Sequence, residues 1–210
     1  GQIVEIGSYR GRSMIVLASA AAPEVTLVAI DPHAGNDRGP QQWEGTSREG
    51  EEDNAAFWSN LERAQVAGRV RHVRRRSQEA LGDVPGEIAL LYVDGAHRYQ
   101  PAGADIRRWG ARIEPGGTLL VHDAFSSVGV TLALLRWVTF GSEFRYVGRA
   151  RSMAEYRRER LGGRERLRSA LGQLAQLVRS QSGHQGRYRR PASAIGAAAR
   201  RRNRRVAVLT

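Results

Sequence analysis

Four side chains of acid–base and metal-ligand type follow two apolar runs: Asp94 and His97 come after residues 88–93, and His122 and Asp123 after residues 118–121. The chain has only five histidines in 210 residues, so two of them paired with acids behind such runs form a pattern rather than scatter. Carboxylates offer the hard oxygens that Mg²⁺ prefers, and an imidazole shifts preference toward Mn²⁺, Fe²⁺ or Zn²⁺. A histidine of ordinary pKa can also take the proton of a hydroxyl at neutral pH. Asp94, His122 and Asp123 therefore read as candidate metal ligands, and His97 as a candidate proton acceptor. Each histidine also admits a structural role: His122 as the hydrogen-bonded end of a buried strand, His97 as a cap on the helix that follows.

A second constellation lies at the start, in Val4, Glu5, Ile6, Gly7, Ser8, Tyr9, Arg10, Gly11, Arg12 and Ser13: a strand, a glycine-bearing turn and a helix start. Glycine allows positive φ and close approach of a ligand to the backbone, and the free N–H groups of a helix start face that ligand. Three residues separate Gly7 from Gly11, and position 9 is not glycine, so the loop departs from the dinucleotide fingerprint. Glu5 would repel a phosphate but accept hydrogen bonds from an ammonium group, which favours a ligand carrying an amino acid. Asp31 stands 20 residues past Gly11 at the end of the next apolar run, where an acid can hold two ribose hydroxyls.

The elements that must position these residues can be read from the hydrophobic pattern. Residues 3–6, 25–30, 70–73, 88–93 and 118–121 are short, mostly β-branched apolar runs, the pattern of strands buried on both faces. Helical character fills the gaps at 13–22, 54–67, 78–81 and 101–109, with Asp53 as the expected N-cap and Gly68 as the stop of the second. The alternation predicts a doubly wound, mainly parallel α/β sheet of the Rossmann-like kind. Its ligand sits outside the carboxyl ends of the strands. A helix over 128–137 and an antiparallel edge from 144–147 and 153–156 complete it.

Length and charge bound the rest. At 210 residues with 41% apolar side chains, the chain is read as one globular domain over 1–158, an amphipathic helix over 159–179 and a basic, disordered tail over 180–210. It lacks an apolar run of the roughly 20 residues a membrane-spanning helix needs, and its start does not read as a signal peptide. With no cysteine, disulfides and thiolate metal sites are excluded, which fits a cytoplasmic setting. The net charge of +12 is uneven: residues 1–150 hold 17 Arg against 18 acids, and residues 151–210 hold 16 Arg against 3 Glu. Leu167, Leu171, Leu174 and Val178 recur at helical spacing, and that stripe is expected to pack on the domain itself, with a partner or membrane face as the alternative.

Over residues 3 to about 156 the chain resembles class I S-adenosylmethionine-dependent methyltransferases. In particular it resembles the bacterial small-molecule and sugar O-methyltransferase branch, in which an Asp-Gly-x-His-x-Tyr stretch and a Pro-Gly-Gly strand end the fourth and fifth strands. Here these read Asp94, Gly95, Ala96, His97, Arg98, Tyr99 and Pro115, Gly116, Gly117 through His122 and Asp123. The resemblance implies methyl transfer from S-adenosylmethionine to a hydroxyl of a small molecule or glycan, in some relatives with a divalent cation, Mg or Mn. It implies that Glu5, Gly7, Ser8, Tyr9, Gly11 and Ser13 line the methionine part, that Asp31 holds the ribose, that Ser77 lies near the adenine and that Asp94 borders the cofactor. It further implies His97 as general base. Metal-using relatives carry Glu where this chain has His122, and helices that normally precede the first strand to cover the cofactor are not seen.

Other readings stay open at this level. A degenerate, non-catalytic domain could bind an anionic partner through its Arg-rich tail. An RNA methyltransferase would use the same arginines for phosphate, although Tyr188 is the only aromatic near them. A nicotinamide oxidoreductase fits the fold but not the glycine spacing. Oligomerisation is left open. Residues 35–53, with Trp43, are expected to form a loop near the crevice, and Asp105 to be a structural partner of a neighbouring arginine.

Overall fold

The computed structural model describes residues 1–34 and 47–182. Five strands run parallel: β1 (Gln2–Ile6), β2 (Leu27–Ile30), β3 (Val70–Val73), β4 (Ile88–Val93) and β5 (Ile113–Val121). Two more, β6 (Phe144–Ala150) and β7 (Met153–Arg158), form an antiparallel hairpin whose second strand pairs with β5. The seven-stranded order is β3-β2-β1-β4-β5-β7-β6. It reverses direction of winding between β1 and β4, so the carboxyl ends of those two strands flank the switch point.

Helices cover both faces, which is why β2 is buried at all four positions. On one side α1 (Arg12–Ala20) and α2 (Ser47–Arg63) enclose Met14, Phe57, Leu61, Leu27 and Val70. On the other, α3 (Tyr99–Gly110) and α4 (Val128–Leu134) pack Ile106, Trp109, Val130 and Leu134 against the sheet. Each fully buried aliphatic or aromatic side chain contributes about 1.5–3 kcal/mol. The two cores therefore clamp the sheet between them and fix the strand ends that carry polar residues.

The sheet and its antiparallel edge agree with the sequence pattern; several local boundaries do not. The expected loop over 35–53 is helical from Ser47 onward, and Asp53, expected as an N-cap, sits inside α2 paired to Arg10 at 2.8 Å. The helix stops at Arg63 rather than at Gly68. Gln65 takes the left-handed conformation (φ 58°), with Val66 N–H donating to Leu61 O and Gln65 N–H to Glu62 O. This end is a Schellman closure, and the burial of Val66 beside Leu61 supplies the hydrophobic contact that a glycine signal does not reveal. Residues 78–81 give only a short 3₁₀ turn, Ala80–Gly82. The helix after β5 changes at Leu135–Thr139 to a π-helical turn. Trp43 and the tail from residue 183 lie outside the described residues.

A larger correction concerns α5 (Gly163–Ser182). It packs on the domain, but not through its leucine stripe. Ser169, Ala170 and Gln173 are buried, whereas Leu167 is 61%, Leu171 56% and Val178 69% exposed. Buried hydrogen bonds decide the rotation: Gln173 Oε1 accepts from Thr139 Oγ1 at 2.7 Å and from the Tyr156 hydroxyl at 3.2 Å. Leaving those hydroxyls unpaired in the core would cost about 1–3 kcal/mol each, comparable to what a buried leucine returns.

Candidate functional site

The loop after β1 lies directly on the loop after β4. Asp94 N–H donates to Ile6 O at 2.8 Å, and a Cβ placed on Gly7 (φ +85°) would stand 2.4 Å from Asp94 O. Gly11 is also left-handed (φ +80°), and a Cβ there would press on the buried Leu61 and Phe57 side chains rather than on backbone. Glycine is thus a conformational requirement at both positions and a backbone packing requirement at Gly7. Tyr9, between them, has φ 45° and is half exposed.

Asp31, just past β2, organises that loop. Its Oδ2 accepts the Tyr9 N–H at 2.7 Å and its Oδ1 the His33 N–H at 2.8 Å. Each carboxylate oxygen keeps a further lone pair for a ligand. Glu5 is fully buried on β1. Burial pushes its carboxyl up to about 7, while Ser13 and Ser8 hold it lower than burial alone would. Both Glu5 oxygens and Ser8 Oγ lack a partner of good hydrogen-bond geometry.

Ser77 follows β3 and is nearly buried; its hydroxyl donates to Asp105 Oδ1, and its carbonyl accepts from Trp109 Nε1 at 3.2 Å. Gln78 Nε2 also donates to Asp105 Oδ1, at 3.3 Å. The structural role read for Asp105 is present, but its hydrogen-bond partners are Ser77 and Gln78 rather than an arginine. Desolvation raises its carboxyl to about 6, against the pull of the Ser77 hydroxyl and Arg108.

The four residues after β4 and β5 converge. His97 Nε2 is 3.1 Å from Asp123 Oδ2, and His122 Nδ1 is 3.0 Å from Asp94 Oδ1 and 3.6 Å from Asp123 Oδ1. Asp94 raises the pKa of His122 above the ordinary histidine value, outweighing its partial burial. Asp94 and His122 also help line a small recess, together with His97, Gly95 and Val130. Asp123 holds a left-handed conformation (φ 50°), in which its carbonyl accepts from Ser126 and Ser127 N–H at 3.1 and 3.0 Å. Such a backbone costs about 1 kcal/mol or more in a non-glycine residue and is kept where surroundings impose it.

Sequence reasoning missed Ser152. Its hydroxyl is 3.0 Å from His122 Nε2, and it sits at the turn joining β6 and β7. The signal was present, because an antiparallel edge strand beside β5 must deliver its incoming turn to the carboxyl end of β5. The side chain at that turn could not be chosen without the register Val121↔Ala154.

Fold and crevice together define a Rossmann-like methyltransferase domain: parallel strands with an antiparallel last hairpin, a glycine loop after β1 and an acid after β2. The chain belongs to the methyltransferase domain family, whose pattern it matches over residues 4–124. The O-methyltransferase NovP superposes with a TM-score of 0.61 at 19% identity, covering 76% of this chain and 72% of that one. The cofactor-bound protein Rv0187 from MTB does so at 0.58 and 19%, over 76% and 73% of the two chains. These likenesses are of fold. The uncharacterized protein y4gI of Sinorhizobium fredii is 28% identical over 127 residues, which is 58% of this chain; the chain spans only 13% of that protein.

Proposed function

We propose that the domain binds S-adenosylmethionine across the carboxyl ends of β1, β2 and β4 and methylates a hydroxyl of a small molecule or glycan. The observation that carries this reading is the meeting of His97, Asp123, Asp94 and His122 beside the Gly7 loop. The bound cofactor supplies an electrophilic methyl group on a sulfonium. Asp31 would take the ribose hydroxyls on its spare lone pairs, and the loop from Gly7 to Ser13 would lie along the methionine part, with Tyr9 at its surface. Ser77, its hydroxyl spent on Asp105, would face the adenine through backbone and shape rather than through that hydroxyl.

His97 is the proposed base. With Nε2 toward Asp123, its Nδ1 is left to take the acceptor's proton, and the carboxylate steadies the imidazolium that results. Asp94 and His122, 3.0 Å apart, would order the crevice wall. Alignment of acceptor and methyl supplies most of the remaining rate enhancement.

Mg or Mn assistance fits these residues poorly. Among the described residues no group of three or more His, Asp or Glu is spaced to hold a metal ion. His122 Nδ1 is turned onto Asp94 and Asp123, at 3.0 and 3.6 Å, so the imidazole nitrogen nearest the two carboxylates is spent on them rather than aimed with them at a shared ion. The proposed chemistry therefore runs on His97 and its carboxylate. A soluble setting such as the cytoplasm belongs to this proposal; among the described residues no helix is long and apolar enough to cross a membrane.

Calorimetry tests the reading. S-adenosylmethionine should bind in the micromolar range and Asp31→Ala should abolish it. Transfer of a labelled methyl group to a panel of phenolic and sugar hydroxyls should then depend on His97. Absence of binding in the unsubstituted protein would favour the degenerate domain instead.

A further inference from the structure

The rotation of α5 leaves Leu167 and Leu171 as an apolar face outside the packing seen among the described residues. Leu167 and Leu171, one turn apart, are 61% and 56% exposed, and Phe140 is 60% exposed. Arg166 donates to Phe140 O at 2.9 Å, which ties the segment bearing this exposed ring to the first turns of α5. The opposite flank of the helix is committed: Ser169 Oγ accepts the Tyr146 N–H at 2.9 Å, Gln173 is fully buried, and Gly172 lies against the Tyr146 ring. Turning α5 by about 100°, one residue's worth, would bury the leucines. It would also break every one of those bonds.

Charge identifies what suits this face. Arg164 and Arg168 lie on the flank of the leucine stripe away from the packed side by helical periodicity, and both are exposed. Neither makes an ion pair among the described residues. The sequence that carries them is basic throughout, with 16 Arg against 3 Glu over residues 151–210. A row of leucines flanked by guanidinium groups matches the acyl-chain boundary and phosphates of an anionic bilayer surface. A second copy matches less well, because a two-fold interface on this face would set Arg164 and Arg168 against their own like charges. Nucleic acid uses the arginines but has no place for the leucines.

We infer that α5, through Leu167, Leu171 and Phe140 flanked by Arg164 and Arg168, is a docking surface for anionic lipid that holds the domain on a membrane face. This is independent of the reaction proposed above, since none of these residues borders the crevice.

Vesicle flotation of the full 210-residue chain tests it. The protein should float with vesicles of phosphatidylcholine and phosphatidylglycerol, not with phosphatidylcholine alone, and less so as salt is raised. Leu167→Glu with Leu171→Glu should lower partitioning by about tenfold or more at an unchanged thermal midpoint. Leu171→Ser alone, milder for folding, should give an intermediate loss, and Arg164→Ala with Arg168→Ala should weaken binding to the anionic vesicles. Failure of the unsubstituted chain to float would overturn the inference. So would flotation indifferent to the leucine changes, which would assign the attraction to arginines elsewhere. A dimer that the leucine changes dissociate without affecting flotation would assign the face to self-association, and tighter binding to single-stranded RNA than to vesicles would assign the basic segment to nucleic acid.

Discussion

His97 Nε2 stands 3.1 Å from Asp123 Oδ2, joining the loop after β4 to the loop after β5. The two residues are 26 positions apart in sequence, and the parallel register Val93↔Val121 is what brings them together. If His97 removes the acceptor's proton, His97→Ala should lower kcat by about 10²–10⁴-fold while the S-adenosylmethionine affinity stays within a factor of about two. Asp123→Asn should fall between the two, since it keeps the shape and loses the charge. Equal loss of cofactor binding in both variants would mean that the pair only braces the crevice. Single-turnover methylation and calorimetry on the same preparations separate the cases.

Chelation is a second discriminating measurement. With His122 Nδ1 turned onto Asp94 and Asp123, activity should be unchanged by an excess of chelator and unchanged by added Mg²⁺ or Mn²⁺. Activity that disappears with chelator and returns with metal would show that a cation takes the place of those contacts.

Glu5 gives the pH dependence of stability a definite sign. Its carboxyl is raised from 4.5 to about 7, so the folded protein holds a proton that the unfolded chain releases between those values. Stability should therefore fall as pH rises through that window and level off above it. Glu5→Gln removes the ionisation, so its denaturant midpoint should be flatter across the window, and above about pH 7 the variant should be the more stable protein by a few kcal/mol. Asp105, raised from 3.8 to about 6, adds a slope of the same sign at lower pH, which Glu5→Gln leaves in place. A variant less stable than the parent at high pH would show that ionised Glu5 is satisfied in the folded state.

Much of this site could be read before any coordinates. β-branched runs buried on both faces announce parallel strands, and the residues behind them must then share one edge, so Asp31, Asp94, His97, His122 and Asp123 follow from pattern alone. The limits of α2 could not be read the same way. Gln65 occupies a left-handed position usually given to glycine because Val66 is pulled into the core, a tertiary effect with no local signature. The rotation of α5 was misread for a related reason. Hydrophobic periodicity locates an apolar stripe but assigns it to the core by default, and the hydroxyls of Thr139 and Tyr156 that anchor Gln173 come from distant parts of the chain. Ser152 needed the register of the edge hairpin.

Gly129, in the first turn of α4, separates packing from propensity most sharply. In an ordinary helix, replacing glycine by alanine stabilises by about 1 kcal/mol. Here a Cβ would stand 2.2 Å from His97 O and 2.8 Å from Tyr99 N, both backbone atoms that cannot swing aside as a side chain can. The clash outweighs the propensity gain, so Gly129→Ala should destabilise the protein, lowering its thermal midpoint. The loop bearing His97 must move, because α4 is held behind by Val130, Ala133 and Leu134 in the core. The Gly7 loop and Asp31 are not in that path. Methyl transfer should accordingly fall by about 10-fold or more while cofactor affinity changes little, since a displacement of about 1 Å at the base suffices for such a loss. A Gly129→Ala protein with a raised midpoint and undiminished turnover would mean that the His97 loop is free to yield, and with it the proposed placement of the base.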